Sequence, residues 1–192
     1  MRLRRITMNV NEEKLIIAGF GGQGVMLMGQ VLSYAATNED LNTIWIPSYG
    51  PETRGGTANC SVIISHAMIA SPVISQPDSV IAMNLPSLQK FEKKLKPGGL
   101  LLVNESLVKD YDYRDDIEVY PIDTNNLALK LGNLKVANMI MLGAYIELTG
   151  VFNKEALFAV FKKIFSGEKA KLIDLNEKAV ELGMSVIKKL KA

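Results

Sequence analysis

One cysteine and one histidine among 192 residues remove several chemistries before any motif is read. Cys60 has no second thiol, so an internal disulfide is excluded, and an iron–sulfur cluster, which needs about four thiolates, cannot be held by this chain alone. His66 has no second histidine with which to share a metal and no evident partner for a Ser-His-Asp relay. Flanked by Ser65 and Ala67, it reads as a surface turn. Cys60 falls in Thr57-Ala58-Asn59-Cys60-Ser61-Val62-Ile63-Ile64, which reads as a strand, so it is expected to be a small buried residue and not a nucleophile. Charge of one sign is also missing: 22 Lys and Arg face 20 Asp and Glu, a net of +2. Without a basic face interleaved with aromatics, nucleic acid is not an expected partner. The longest apolar tract, Val136 to Ile146, contains Asn138 and is too short to span a bilayer. Arg2, Arg4 and Arg5 open like a targeting segment, but polar Thr7, Asn9, Asn11, Glu12 and Glu13 follow where an apolar stretch is required. A cytoplasmic chain is expected. No Pro-rich or low-complexity stretch marks a linker, and 48% of the residues are apolar. One domain over residues 14–192, behind an N-terminal extension of residues 1–13, is therefore predicted.

Two segments stand out against this background. Leu15-Ile16-Ile17-Ala18 reads as a buried strand and runs into Gly19-Phe20-Gly21-Gly22-Gln23-Gly24, after which Val25, Met28, Val31, Leu32 and Ala35 continue as a helix. Strand, glycine-rich turn and helix is the setting in which bare N–H groups and a helix N-terminus cradle a phosphate or pyrophosphate. A purely structural turn is the other reading. A dinucleotide site would want an acidic residue at the end of the second strand, but Thr43-Ile44-Trp45-Ile46 ends in Pro47-Ser48, while Glu39 and Asp40 precede it. A P-loop would want Lys followed by Ser or Thr, and none follows the glycines. The second segment, Pro47-Ser48-Tyr49-Gly50-Pro51-Glu52-Thr53-Arg54-Gly55-Gly56-Thr57, crowds glycines and prolines around Arg54 between two apolar runs. A plain turn needs far fewer special backbone positions, so this loop is expected to bind something. Arg54 suits either a phosphate contact or an ion pair between subunits.

The remaining elements follow from periodicity. Ser79–Met83, Leu100–Val103 and Ile117–Ile122 read as strands, with Asn84 capping a helix that stops at Lys96-Pro97-Gly98-Gly99. The fold class predicted is α/β: a three-layer, Rossmann-like single domain whose mostly parallel sheet becomes mixed through Thr57–Ser65, followed by a helical C-terminal part. Lys135 to Thr149 is apolar nearly all round, as a helix is when buried centrally or covered by another protein. Its interior amide, Asn138, needs hydrogen-bond partners. The core or a ligand near the glycine turn could supply them. Two amphipathic helices, Lys154–Phe165 and Leu172–Leu190, close the chain.

No constellation here performs catalysis alone, so a binding or assembly role leads. Gly19-Phe20-Gly21-Gly22-Gln23-Gly24-Val25, Tyr49-Gly50-Pro51-Glu52-Thr53-Arg54-Gly55-Gly56 and Asn138-Met139-Ile140-Met141-Leu142-Gly143 resemble the signature blocks of the γ subunit of 2-oxoacid:ferredoxin oxidoreductases. Trp45-Ile46-Pro47-Ser48-Tyr49 and Thr57-Ala58-Asn59-Cys60 look most like the 2-oxoglutarate-type branch. The resemblance implies a subunit of an enzyme that oxidatively decarboxylates a 2-oxoacid to its acyl-CoA and reduces ferredoxin. It implies alpha and beta partners, with a delta subunit in some members, that carry thiamine diphosphate and the iron–sulfur clusters. It further implies a shared coenzyme A site at Gly21, Gly22, Gln23, Gly24 and Val25, with Arg54 and Asn138 as further candidates. An independent Rossmann-type nucleotide-binding protein is the alternative. A third reading gives the glycines a role in assembly only.

Overall fold

The computed structural model describes residues 12–50 and 56–191 of the chain. The predicted contact at Arg54 and most of the N-terminal extension lie outside them. Strand β1 (Glu12–Phe20) leads through the glycine turn into helix α1 (Val25–Asn38), then edge strand β2 (Asn42–Tyr49) and β3 (Thr57–Ser65). After β4 (Ser79–Ala82) come α2 (Leu85–Phe91), β5 (Leu100–Asn104), β6 (Glu118–Ile122) and the helices α3 (Thr124–Lys130), α4 (Ala137–Thr149), α5 (Lys154–Ile164) and α6 (Ile173–Leu190). Every strand and helix named from the sequence is present, α3 is an addition, and β1 takes in Glu12 and Glu13.

The sheet order is β2-β3-β1-β4-β5-β6. β1, β4, β5 and β6 run parallel, and β3 is antiparallel to both of its neighbours, so the sheet is mixed as expected. Alternation along the strands sorts the core into two layers. Leu15, Ile17, Ile81 and Leu102 face the layer of α1 and the C-terminal helices. Ile16, Ala18, Val80, Leu101 and Val103 face Leu88, Phe91 and Leu95 around α2. The first layer is far thicker, because α4 is wrapped by the chain itself: twelve of its thirteen residues are buried. Tyr145 and Phe161, both fully buried, are the largest side chains there. α6 approaches α4 so closely that a β-carbon on Gly143 would lie 2.0 Å from the Val180 carbonyl oxygen.

This winding fixes where a site can form. From β1 the chain leaves to one face of the sheet through α1, and from β4 it leaves to the other through α2. The crevice outside the carboxyl ends of β1 and β4 is thus the switch point of the sheet, where open α/β folds bind ligands.

Candidate functional site

The glycine turn sits at that crevice. Gly22 and Gly24 have φ of 97° and 72°, a left-handed backbone that side chains disfavour. The turn is held from within by Gln23. Phe20 N–H donates to its Oε1 at 2.7 Å, the Asn84 amide donates to the same oxygen at 3.0 Å, and its own Nε2 donates to the Met83 carbonyl at 3.1 Å. The side chain of Gln23 is therefore committed inside the fold. Asn84, in turn, caps α2 by accepting from Ser87 N–H at 2.9 Å. The network continues along the strand ends, where Asn104 Nδ2 donates to Asn125 Oδ1 at 3.1 Å.

Two main-chain amides of the turn are already used: Gly21 N–H donates to Gly56 C=O at 3.0 Å and Gln23 N–H to Phe20 C=O at 3.1 Å. The first of these bonds ties the turn to the end of the Pro47–Thr57 loop, so two segments singled out in the sequence meet at one end of the sheet. Gly22 and Gly24 N–H make no hydrogen bond among the described residues. Around Gly22 there is open space, since a β-carbon there would have nothing within 4 Å. Gly24 is different. A β-carbon there would lie 2.2 Å from Asn138 Nδ2, so the absence of a side chain serves packing against α4 as well as the turn. Asn138 is buried, donates to Gly24 C=O at 3.4 Å and accepts from Met139 N–H at 3.0 Å. Val25 is buried to the side chain, which leaves its main chain at the helix start as the part near the turn.

A hollow of ≈ 510 Å³ opens over the turn, lined by Gly22, Gln23, Asn125, Leu134, Lys135 and Asn138 among others. Its chemistry is mixed. Leu107 and Leu134 are 44% and 49% exposed on its rim, and Lys135 is an exposed ammonium with no ion pair among the described residues. Asn125 escaped the sequence reading. Lys135 was read as a helix start but not as a site residue; Asn133, which accepts from its N–H at 3.0 Å, caps that start.

The other candidates are far from this chemistry or inert. Cys60 is buried with its thiol pointing to the Val25 carbonyl at 3.6 Å, and burial pushes its pKa up to about 11. His66 is exposed just past β3, at the opposite end of the sheet. Among the described residues no group of three or more His, Cys, Asp or Glu could hold a metal ion, and no helix is long and apolar enough to cross a membrane. A site of main-chain donors, one cation and an apolar rim can hold and orient an anion. Among its described residues it carries no carboxylate, histidine or thiol.

The family model described as pyruvate ferredoxin/flavodoxin oxidoreductase matches residues 14–186. The ketoisovalerate oxidoreductase subunit VorA of Methanothermobacter marburgensis is 38% identical over 174 residues, 90% of this chain and 36% of that one. This chain thus spans little more than a third of that relative. The 2-oxoglutarate synthase subunit KorC of the same organism is 40% identical over 151 residues, covering 75% of this chain and 81% of the relative. Among solved structures, the keto/oxoacid ferredoxin oxidoreductase gamma subunit from Geobacter sulfurreducens PCA superposes with a TM-score of 0.77 at 32% identity, over 94% of this chain and 99% of that one.

Proposed function

This chain belongs to the pyruvate ferredoxin/flavodoxin oxidoreductase family, and from that premise we propose that it is the gamma subunit of a multisubunit 2-oxoacid:ferredoxin oxidoreductase that holds coenzyme A for the thioester-forming step. In the whole enzyme a 2-oxoacid loses carbon dioxide, its acyl group passes to the coenzyme A sulfur, and the electrons released pass to ferredoxin. Thiamine diphosphate and iron–sulfur clusters belong to the alpha, beta and delta partners, in keeping with the single thiol of Cys60.

The observation that carries the reading is the open turn at the switch point, with Gly22 and Gly24 N–H unengaged among the described residues and a hollow beside it lined by Gly22 and Lys135. Coenzyme A presents phosphates to such donors, and its apolar stretches suit a rim of Leu107 and Leu134. Gly22, Gly24 and Lys135 would hold the phosphates, Asn138 would fix the turn from below, and Gln23 would act through the shape of the turn. Arg54 would add a second cation from the adjoining loop. The independent dinucleotide-binding alternative gains nothing from the fold. β3 lies between β1 and β2, so the end of β2 stands two strands, about 10 Å, from the turn and offers Ser48 and Tyr49 in place of an acid.

For the acid, 2-oxoglutarate is the narrower proposal, on the strength of the segments around β2 and the 2-oxoglutarate synthase relative. The test is reconstitution. The chain should co-purify with a thiamine-diphosphate subunit and a ferredoxin-like subunit, and Lys135→Ala should raise the KM for coenzyme A while the assembled complex keeps its kcat. Turnover by the isolated chain, or an unchanged KM in the variant complex, would overturn the reading. A panel of 2-oxoglutarate, ketoisovalerate and pyruvate decides the substrate, and a kcat/KM for 2-oxoglutarate below either of the others rejects that part.

A further inference from the structure

Three asparagines, Asn125, Asn133 and Asn138, line the hollow beside the glycine turn. An amide side chain can meet a ligand with its oxygen or its nitrogen, and here the protein has made the choice. Asn133 Oδ1 accepts from Lys135 N–H at 3.0 Å, and Asn138 Oδ1 accepts from Met139 N–H at 3.0 Å. A main-chain N–H only donates, so in both the atom facing it is the oxygen. Asn125 is fixed one step removed. Ser106 N–H donates to Asn104 Oδ1 at 3.3 Å, while Asn104 Nδ2 donates to the Met83 carbonyl at 3.4 Å and to Asn125 Oδ1 at 3.1 Å. Asn104 is fully buried, so its amide is held on both sides.

Every amide oxygen around the hollow is thus spent on the fold. Gln23 is engaged at both ends, and Asn138 Nδ2 gives one hydrogen to Gly24 C=O at 3.4 Å. The nitrogens of Asn125 and Asn133 have no hydrogen-bond partner among the described residues. No carboxylate or hydroxyl side chain lines the hollow among those residues. What its side chains offer a ligand is donors: two amide nitrogens and the Lys135 ammonium.

Most of coenzyme A would leave hydrogens unmet against such a wall. The adenine amine, the ribose hydroxyl and the two amides of the pantetheine arm all donate, whereas ionised phosphates only accept. The donors come in two sets. Gly22 N–H belongs to the turn after β1, while Asn125 opens α3, and Asn133 and Lys135 lie in the link from α3 to α4. At ≈ 510 Å³ the hollow is of a size that takes a whole small-molecule ligand, so each set has room for its own phosphate. A diphosphate suits the main-chain donors at a helix start. The 3′-phosphate is a monoester with three free oxygens and close to two negative charges, which matches one ammonium and two amides. We propose that Asn125 and Asn133, beside Lys135, bind the 3′-phosphate and so select coenzyme A over its 3′-dephospho form. This selectivity rests on the coenzyme A reading above.

Aspartate is the discriminating replacement. Asn125→Asp still accepts from Asn104 Nδ2, and Asn133→Asp still accepts from Lys135 N–H, so the inward bonds stay while the outward donor becomes a charged acceptor. In the assembled complex, kcat/KM for coenzyme A should exceed that for 3′-dephospho-coenzyme A by roughly tenfold or more, the scale of a hydrogen bond to a charged group. Each aspartate variant should bring the ratio close to one. The neutral pair Asn125→Ala with Asn133→Ala should lower it as well, which separates a lost hydrogen bond from long-range repulsion. Turnover of the dephospho form reports that each variant complex is assembled. A wild type without the preference overturns the proposal, as does a preference that survives the alanine pair. Lys135→Ala tells the two readings apart. If it raises the KM alike for both forms, coenzyme A stays in the hollow with its 3′-phosphate elsewhere, and only this assignment falls. If it leaves both KM values unchanged, the coenzyme A reading falls with it.

Discussion

Gln23 Oε1 and Asn84 Nδ2 lie 3.0 Å apart, joining the turn after β1 to the helix cap after β4. One amide side chain thereby spans the switch point, and the same oxygen holds Phe20 N–H at 2.7 Å. The path of the turn depends on this contact, since Gly22 and Gly24 impose no conformation of their own.

Gln23→Glu should therefore weaken the site without touching ligand. The carboxylate can still accept from Phe20 and Asn84, but it cannot donate to the Met83 carbonyl, and it places negative charge beneath an anion cradle. A rise of about tenfold in the KM for coenzyme A, roughly 1.4 kcal/mol, is expected in the assembled complex. Amide exchange at Phe20 should stay slow in Gln23→Glu and become fast in Gln23→Ala. An unchanged KM in both variants would leave the turn without a role in coenzyme A binding.

The crossing of α4 and α6 yields a second prediction. A β-carbon on Gly183 would sit 1.9 Å from the Ile140 carbonyl oxygen and 2.9 Å from Ala144 N. Both obstacles are backbone within a buried helix, so neither can swing aside. Gly183→Ala should cost about 3 kcal/mol, as overpacking does at its upper range. Chemical denaturation of the isolated chain measures it. A loss much below 1 kcal/mol would mean that the helices part without penalty.

How much of this was legible beforehand depends on which physics decided each part. The strands and long helices were readable because their apolar residues recur with the right period, and the glycine turn because strand and helix flank it. α3 was not. Thr124-Asn125-Asn126-Leu127-Ala128-Leu129-Lys130 is short and rich in residues that favour turns, and it is fixed by packing on α4. The place of β3 between β1 and β2 was also hidden, because pairing order is settled by long-range contacts. At the site, Gly21, Gly22, Gln23 and Gly24 were named together, but the sequence does not say that Asn84 and Met83 stand behind the Gln23 side chain. Lys135 was read only as the first residue of the apolar helix. Glu12 and Glu13 read as a polar pair, yet strand alternation turns Glu13 inward with Leu15 and Ile17.

That inward turn makes Glu13 a pH-sensitive feature of the core. Its Oε1 accepts from Ser79 Oγ at 2.5 Å and Tyr145 Oη at 3.1 Å at the end of the sheet opposite the glycine turn. Burial raises its pKa above the usual carboxyl value, the two hydroxyl hydrogen bonds oppose the rise, Asp78 adds to it and Lys96 offsets part. The folded chain thus keeps a proton that the unfolded chain releases, and the stability linked to this group is whole below the unfolded pKa and lost as pH climbs through the folded one. Glu13→Gln keeps the carbonyl that both hydroxyls donate to and removes the ionisation. Its Tm should match wild type below the ordinary glutamate range and exceed it increasingly as pH rises above that range. Calorimetric melts of both chains from below that range to above it provide the measurement. A variant that loses ground as pH rises would mean that the carboxylate is stabilised by its neighbours more than burial penalises it.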